Sequence, residues 1–196
     1  MRHTKGEQTR QAILAAAIER FGREGYRTTA VADIARDAGV GGTVAYAYFP
    51  SKEALFLAAV DEDAAGVINE GLSSIIDDPE IDDWRQTLIF TLVAAVESHP
   101  LARRILAGRE PDVTDRVLDI PALADVRRAC SERIRAEQLT GKVRTDIDPV
   151  TMGNGIVAIM LSLLMSVVQV GTDAAFTYGT DVAAVFRAAL DRTPAA

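Results

Sequence analysis

Cysteine is nearly absent from this 196-residue sequence, Cys130 being the only one. A single thiol excludes an internal disulfide framework and a cysteine-based zinc cluster, and it suits a reducing compartment. On its helix, Cys130 reads as a quiet half-buried thiol. Histidine is almost as scarce: His3 and His99 lie far apart, with no Glu or Cys at metal-ligand spacing. Neither a metal nor a cofactor is therefore expected, and His99, beside Pro100, reads as a cap or loop residue at a helix junction. Paired carboxylates, a nucleophile–base pair, strand-like alternation and internal repeats are all lacking, which argues against an enzyme and against a β fold. The basic start, Met1 to Gly6, meets Glu7 before any apolar stretch. A secretory signal is not expected, and a cytoplasmic location is. Positive charge is also short, with 21 Lys and Arg against 28 Asp and Glu for a net of −7. Taken whole, that balance argues against nucleic acid as a partner.

What is present is ample apolar material, 48% of the residues. That is enough for one large or two small globular domains. Ile13, Leu14, Ala17, Ile18 and Phe21 recur at helical spacing up to a stop at Gly25. Short helical pieces follow over 31–38 and 42–48, and Ser51 caps a helix that runs to about Gly71. Further helices are expected over 82–98, 100–106, 121–139 and 180–192. Pro149 to Thr172 contains no charged residue and is long enough to span a bilayer. Polar residues recur through it (Thr151, Asn154, Ser162, Ser166, Gln169), and no Lys/Arg cluster flanks it. A helix packed on several sides is the better reading, with no membrane partner. The expected fold class is all-α, with nine or ten helices.

The charge is unevenly divided. Residues 1–52 hold eight Lys or Arg and five acids, a net of +3, which leaves −10 for residues 53–196 out of the total of −7. A small basic domain over 1–52 and a larger acidic helical domain over 53–196 are expected. Within the first, Ala35 permits close approach of a second helix, and Gly39 can take the left-handed conformation that a tight turn needs. That is how a helix-turn-helix is built, and its second helix would enter the major groove. Tyr46, Tyr48 and Lys52 follow where phenol hydroxyls and a cation can reach phosphates, and Arg2, Lys5 and Arg10 could add contacts from the N-terminal side. Gly39 to Thr43 is no phosphate loop, because the Gly-Lys-Ser/Thr ending and a preceding strand are missing.

Gly25-Tyr26, Asp33-Ile34-Ala35, Ala38-Gly39-Val40 and Tyr46 to Leu55 together resemble the DNA-binding region of the tetracycline-repressor (TetR) family, without a gap over roughly residues 10–60. The resemblance implies an N-terminal three-helix domain with the helix-turn-helix, followed by a divergent helical domain that binds an effector and dimerises. DNA contacts are then expected from Arg10, Thr29, Gly42, Thr43, Tyr46, Tyr48 and Lys52, with Ala35 and Gly39 forming the turn. Three departures stand out. Ala30 occupies the usual Thr/Ser cap position, which costs about 1 kcal/mol unless Thr29 substitutes by a one-residue shift. Gly41 replaces a Ser, and the Gly42-Thr43 pair comes one position early.

The resemblance also implies a four-helix dimer interface from the last two helices of each subunit, here Ile156, Met160, Leu164 and Val168 with Val185, aided by Gly153 and Gly155. Ordinary core packing is the other reading of the same stripe. Trp84 and Phe90 are candidate lining residues of an effector cavity, again with core as the alternative. The implied function is a sequence-specific transcriptional regulator, a repressor released from a pseudo-palindromic double-stranded DNA operator by a small molecule. The competing reading is a helical ligand-binding or enzymatic protein that keeps the fold without recognising DNA.

Overall fold

In a computed structural model, residues 4–72, 81, 83–112, 119–171 and 173–191 are described here, without the side chains of 173–177. Among these residues nine helices follow one another: α1 Lys5–Glu24, α2 Val31–Asp37, α3 Gly42–Tyr48, α4 Lys52–Leu72, α5 Trp84–Val96, α6 Pro100–Leu106, α7 Pro121–Leu139, α8 Pro149–Val170 and α9 Asp173–Leu190. The fold is all-α, with an N-terminal helix-turn-helix unit and a larger helical part.

Local chemistry sets most of the boundaries. Thr4 and Glu7 form a reciprocal capping box at the start of α1, the Thr4 N–H donating to Glu7 Oε2 at 2.6 Å. That bond, to the backbone of Thr4, is the main reason the Glu7 carboxyl lies below its ordinary value. Ser51 Oγ accepts from the Ala54 N–H at 3.0 Å and opens α4. Asp148 accepts from Thr151 N–H at 2.7 Å and opens α8. α6 begins without a cap of its own, and α4 supplies one. Buried Asp63 accepts the Leu101 and Ala102 N–H groups at 2.9 and 2.8 Å, and its other oxygen meets His99 Nδ1 at 2.7 Å. Satisfying two orphan donors at a buried helix start fixes α6 on α4.

Ile13, Leu14, Ala17 and Phe21 form the buried stripe of α1. Phe21 meets Phe56 of α4 edge-on at 4.9 Å, and Tyr26 meets Phe56 at 4.8 Å. α4 begins at Lys52, and its opening turns pack into the N-terminal core. α1 also lies on α6, where the Cα of Gly22 approaches Pro100 so closely that a β-carbon would sit 2.7 Å from the proline ring.

Two expectations shift. α9 begins at Asp173, not near residue 180, because Gly179 does not break it. That glycine is a contact, a β-carbon there coming 3.3 Å from Ile89 Cγ2 on α5. Cys130 is fully buried, not half-buried, and burial pushes its thiol up to about 12. α8 is apolar and long enough to cross a membrane by length and composition alone. Gly153, Ile156, Val157, Met160, Leu163, Leu164 and Val167 are buried, with α7 as the main neighbour, and the opposite face of α8 is exposed.

Candidate nucleic-acid interface and effector cavity

The turn between α2 and α3 is closed by hydrogen bonds that only a left-handed residue permits. Gly39 has φ +70°, its N–H donates to Arg36 O at 3.0 Å, and the Val40 N–H donates to Ala35 O at 2.9 Å. This is the Schellman arrangement, and it turns the chain sharply out of α2. Ala35 is buried at the crossing, as its small side chain requires. α3 then rests on buried Ala45 and Phe49 and turns Thr43, Val44, Tyr46 and Ala47 outward, with Val44 41% and Tyr46 52% exposed. Val44 and Ala47 are not among the contact residues expected from sequence. Their spacing opposite Ala45 is the signal that could have found them.

The other expected contact residues separate. Gly42 opens α3 beside the N-cap Gly41, which, like Ala30 at the start of α2, makes no side-chain cap. Tyr48 is half-buried, its hydroxyl lying against the start of α1, 3.6 Å from where a β-carbon on Gly6 would be. Arg10 is exposed and places its guanidinium 5.2 Å over the Phe49 ring. Lys52 lies 4.5 Å over the Tyr26 ring, and its Nζ donates to Arg27 O at 3.4 Å. Thr29 is a correction. It is buried and its Oγ1 donates to Gly25 O at 2.8 Å, so it neither caps α2 nor lies on the outer surface.

Ion pairing decides which cations remain available. Arg20 Nε bonds Asp37 at 2.6 Å, which clamps α1 to α2, holds the Asp37 carboxyl below its ordinary value and raises the guanidinium. Arg23 pairs with Glu24, Arg27 with Asp112 and Arg36 with Asp33. Among the described residues of the basic segment, Lys5, Arg10 and Lys52 have no carboxylate partner. Arg2 lies outside the described residues.

Behind this unit lies an apolar cavity with about 720 Å³ of empty space, open solvent at its mouth included. Its walls come from α4 (Val60, Ala64), α6 (Ile105, Leu106) and α8 (Met160, Leu164), with further apolar residues of α5 and α7, and among the described residues all of its lining side chains are apolar. Trp84 and Phe90 do not contribute, which corrects their assignment. The Trp84 indole N–H needs a partner once buried, and it donates to Glu137 Oε1 at 3.1 Å, in a cluster with Arg85 and Arg133. Phe90 faces α9, near Gly179.

The expected dimer stripe is corrected as well. Met160 and Leu164 line the cavity of their own chain, Ile156 is buried, and half-buried Val168 lines a polar hollow beside Arg103 and Arg109. Gly153 serves α7 of the same chain, a β-carbon there meeting Ser131 Oγ at 2.4 Å. Of the five, Val185 is on the outside, 61% exposed. The outward face of α8 includes Asn154, Gly155, Ala158, Ile159, Ser162 and Ser166 instead.

Residues 13–59 match the model of the bacterial regulatory proteins of the tetR family. No curated relative matches the chain as a sequence. Among solved structures, a TetR transcriptional regulator of Chloroflexus aurantiacus J-10-fl superposes with a TM-score of 0.71 at 23% identity, over 96% of this chain and 99% of that one. The fatty acid degradation regulator FadR of Bacillus halodurans gives 0.72 at 16% identity, over 95% and 96%. A gamma-butyrolactone receptor gives 0.56 at 22%, over 97% and 92%. At these identities the likeness to the solved structures is one of fold.

Proposed function

We infer that this chain, which carries the DNA-binding region of the tetR family of bacterial regulatory proteins at its N-terminus, is a sequence-specific transcriptional regulator that a small molecule releases from its operator. The observation that carries the reading is the outer face of α3, held out by the Gly39 turn, with Lys5, Arg10 and Lys52 beside it and without a carboxylate partner among the described residues. Phosphates would supply the missing anions. Thr43, Tyr46 and Tyr48 add hydroxyls that can bond phosphate oxygens, and Gly42 lets the backbone approach closely. The acidic remainder of the chain does not oppose this, since it repels DNA from the sensor half and so helps orient the reading head.

The regulator would act as a homodimer, because a single seven-residue reading helix covers too little DNA for operator-level specificity. The small-residue face of α8, from Gly155 to Ser166, and the exposed Val185 of α9 support a symmetric pairing of the last two helices. Two reading heads would then occupy successive major grooves about 34–36 Å apart. The effector would be small and largely apolar, since against these apolar described walls a buried polar group would go unpaired at a cost of about 1–3 kcal/mol. α4 and α6 wall the cavity and also pack on α1, so an occupant that spreads them would change the setting of the reading head. Release requires only that the effector favour the setting that fits DNA poorly.

Nuclease footprinting of the DNA upstream of the gene tests this reading. It predicts a protected pseudo-palindrome with half-sites one helical turn apart, and uniform cleavage would overturn it.

A further inference from the structure

We propose that α3 reads thymine methyl groups, so that each operator half-site carries T·A pairs where this helix lies in the major groove; the inference rests on the DNA-binding reading above. Base pairs are distinguished in that groove mainly by Arg or Lys on guanine, Asn or Gln on adenine, and Asp or Glu on cytosine. From Val40 to Ser51 the sequence contains none of these six residue types. What α3 turns outward is Val44 and Ala47, three residues apart on one face, together with Thr43 and Tyr46. The C5-methyl of thymine is the one apolar feature on the major-groove edge, and alkyl side chains are its complement.

None of the nearest cations stands on α3 itself. Arg36 bonds Asp33 at 2.6 Å, Arg10 stacks on Phe49, and Lys52 lies on Tyr26 with its Nζ bonded to Arg27 O. Hydroxyls do not replace them as selective readers, because a Thr or Tyr O–H both donates and accepts and so tolerates every base. Discrimination also works by exclusion. Under an alkyl face, the guanine acceptors or the cytosine amino group would lose water and gain no partner. Val44, 41% exposed in the free protein, is thus a specificity-determining residue whose burial is completed by DNA.

The test selects duplexes from a random pool with the full chain, then measures binding after replacing thymine by deoxyuridine in the protected half-sites. T·A enrichment under α3 is expected. Each contacted methyl removed should weaken binding about fourfold, and a symmetric pair about fifteenfold. Val44→Ala, a surface change that leaves the core intact, should weaken binding to the thymine duplex and add nothing on the deoxyuridine duplex. Invariant G·C pairs under α3, deoxyuridine binding within twofold of thymine, or an equal Val44→Ala loss on both duplexes would overturn methyl reading while DNA binding stands. Failure to enrich any sequence would overturn both.

Discussion

The backbone N–H of Tyr26 donates to Glu110 Oε1 at 3.1 Å, joining positions 84 residues apart. The same oxygen accepts from Arg104 Nε at 2.6 Å, and Glu110 is buried. One carboxylate therefore ties the α1–α2 connection to α6, whose opposite side (Ile105, Leu106) lines the cavity. Tyr26 in turn carries Lys52 over its ring. Glu110→Gln should lower stability by about 1–3 kcal/mol in urea unfolding, by leaving Arg104 and the Tyr26 N–H poorly matched. It should also weaken operator binding without changing the salt slope, since no phosphate contact is removed.

Lys52→Met separates phosphate contact from folding. The slope of log affinity against log salt should flatten by about one phosphate's worth. The melting temperature should move little, because a half-exposed cation over a ring contributes only about 0.5–1 kcal/mol. An unchanged slope would remove Lys52 from the interface.

The two faces of α8 predict opposite phenotypes. Ile159→Arg, on the outer face, should convert a dimer to a monomer in sedimentation equilibrium and leave helix content intact. Leu164→Ala, on the cavity face, should cost about 2–5 kcal/mol of stability without changing the assembly.

Ala64→Phe narrows the cavity from the α4 side. An apolar fluorescent probe should lose most of its affinity for this variant, while DNA binding in the absence of effector persists. Overpacking limits the expected destabilisation to about 1–3 kcal/mol.

Buried Cys130 should resist alkylation at pH 8 in the native protein and react once the chain is unfolded in urea. Its thiol is pushed from 9.0 up to about 12, so between those values the unfolded chain loses a proton that the folded chain keeps, and stability falls as pH rises through that window. On the acid side the sign reverses. Asp37, held below 3.8 chiefly by the hydrogen bond from Arg20, contributes stability above 3.8 that is lost as pH falls through its lower folded value. Urea midpoints measured across pH check both limbs.

Local signals carried the helix boundaries well. The limits of α3, α6 and α7 follow from Gly and Pro positions, and the left-handed turn follows from Gly39. Partnership was not legible. An apolar stripe on α8 shows that one face is buried but not by what, so Met160 and Leu164 read as dimer contacts or as ordinary core, whereas they wall the cavity. Trp84 reads as a pocket aromatic until its N–H is seen to need Glu137. Thr29 reads as a cap, yet its hydroxyl turns back to Gly25. The Asp63 cap on α6 and the Glu110 tie to Tyr26 join residues 38 and 84 apart, and no periodicity within either segment encodes such pairs.

Titration of the full chain with duplex DNA from its own upstream region and with random duplex, between 50 and 200 mM salt, decides whether this chain recognises a specific operator. Both affinities should fall steeply with salt, as phosphate contacts require, and the upstream duplex should bind at least about a thousandfold tighter throughout. Equal affinity for the two duplexes across that range would contradict the account.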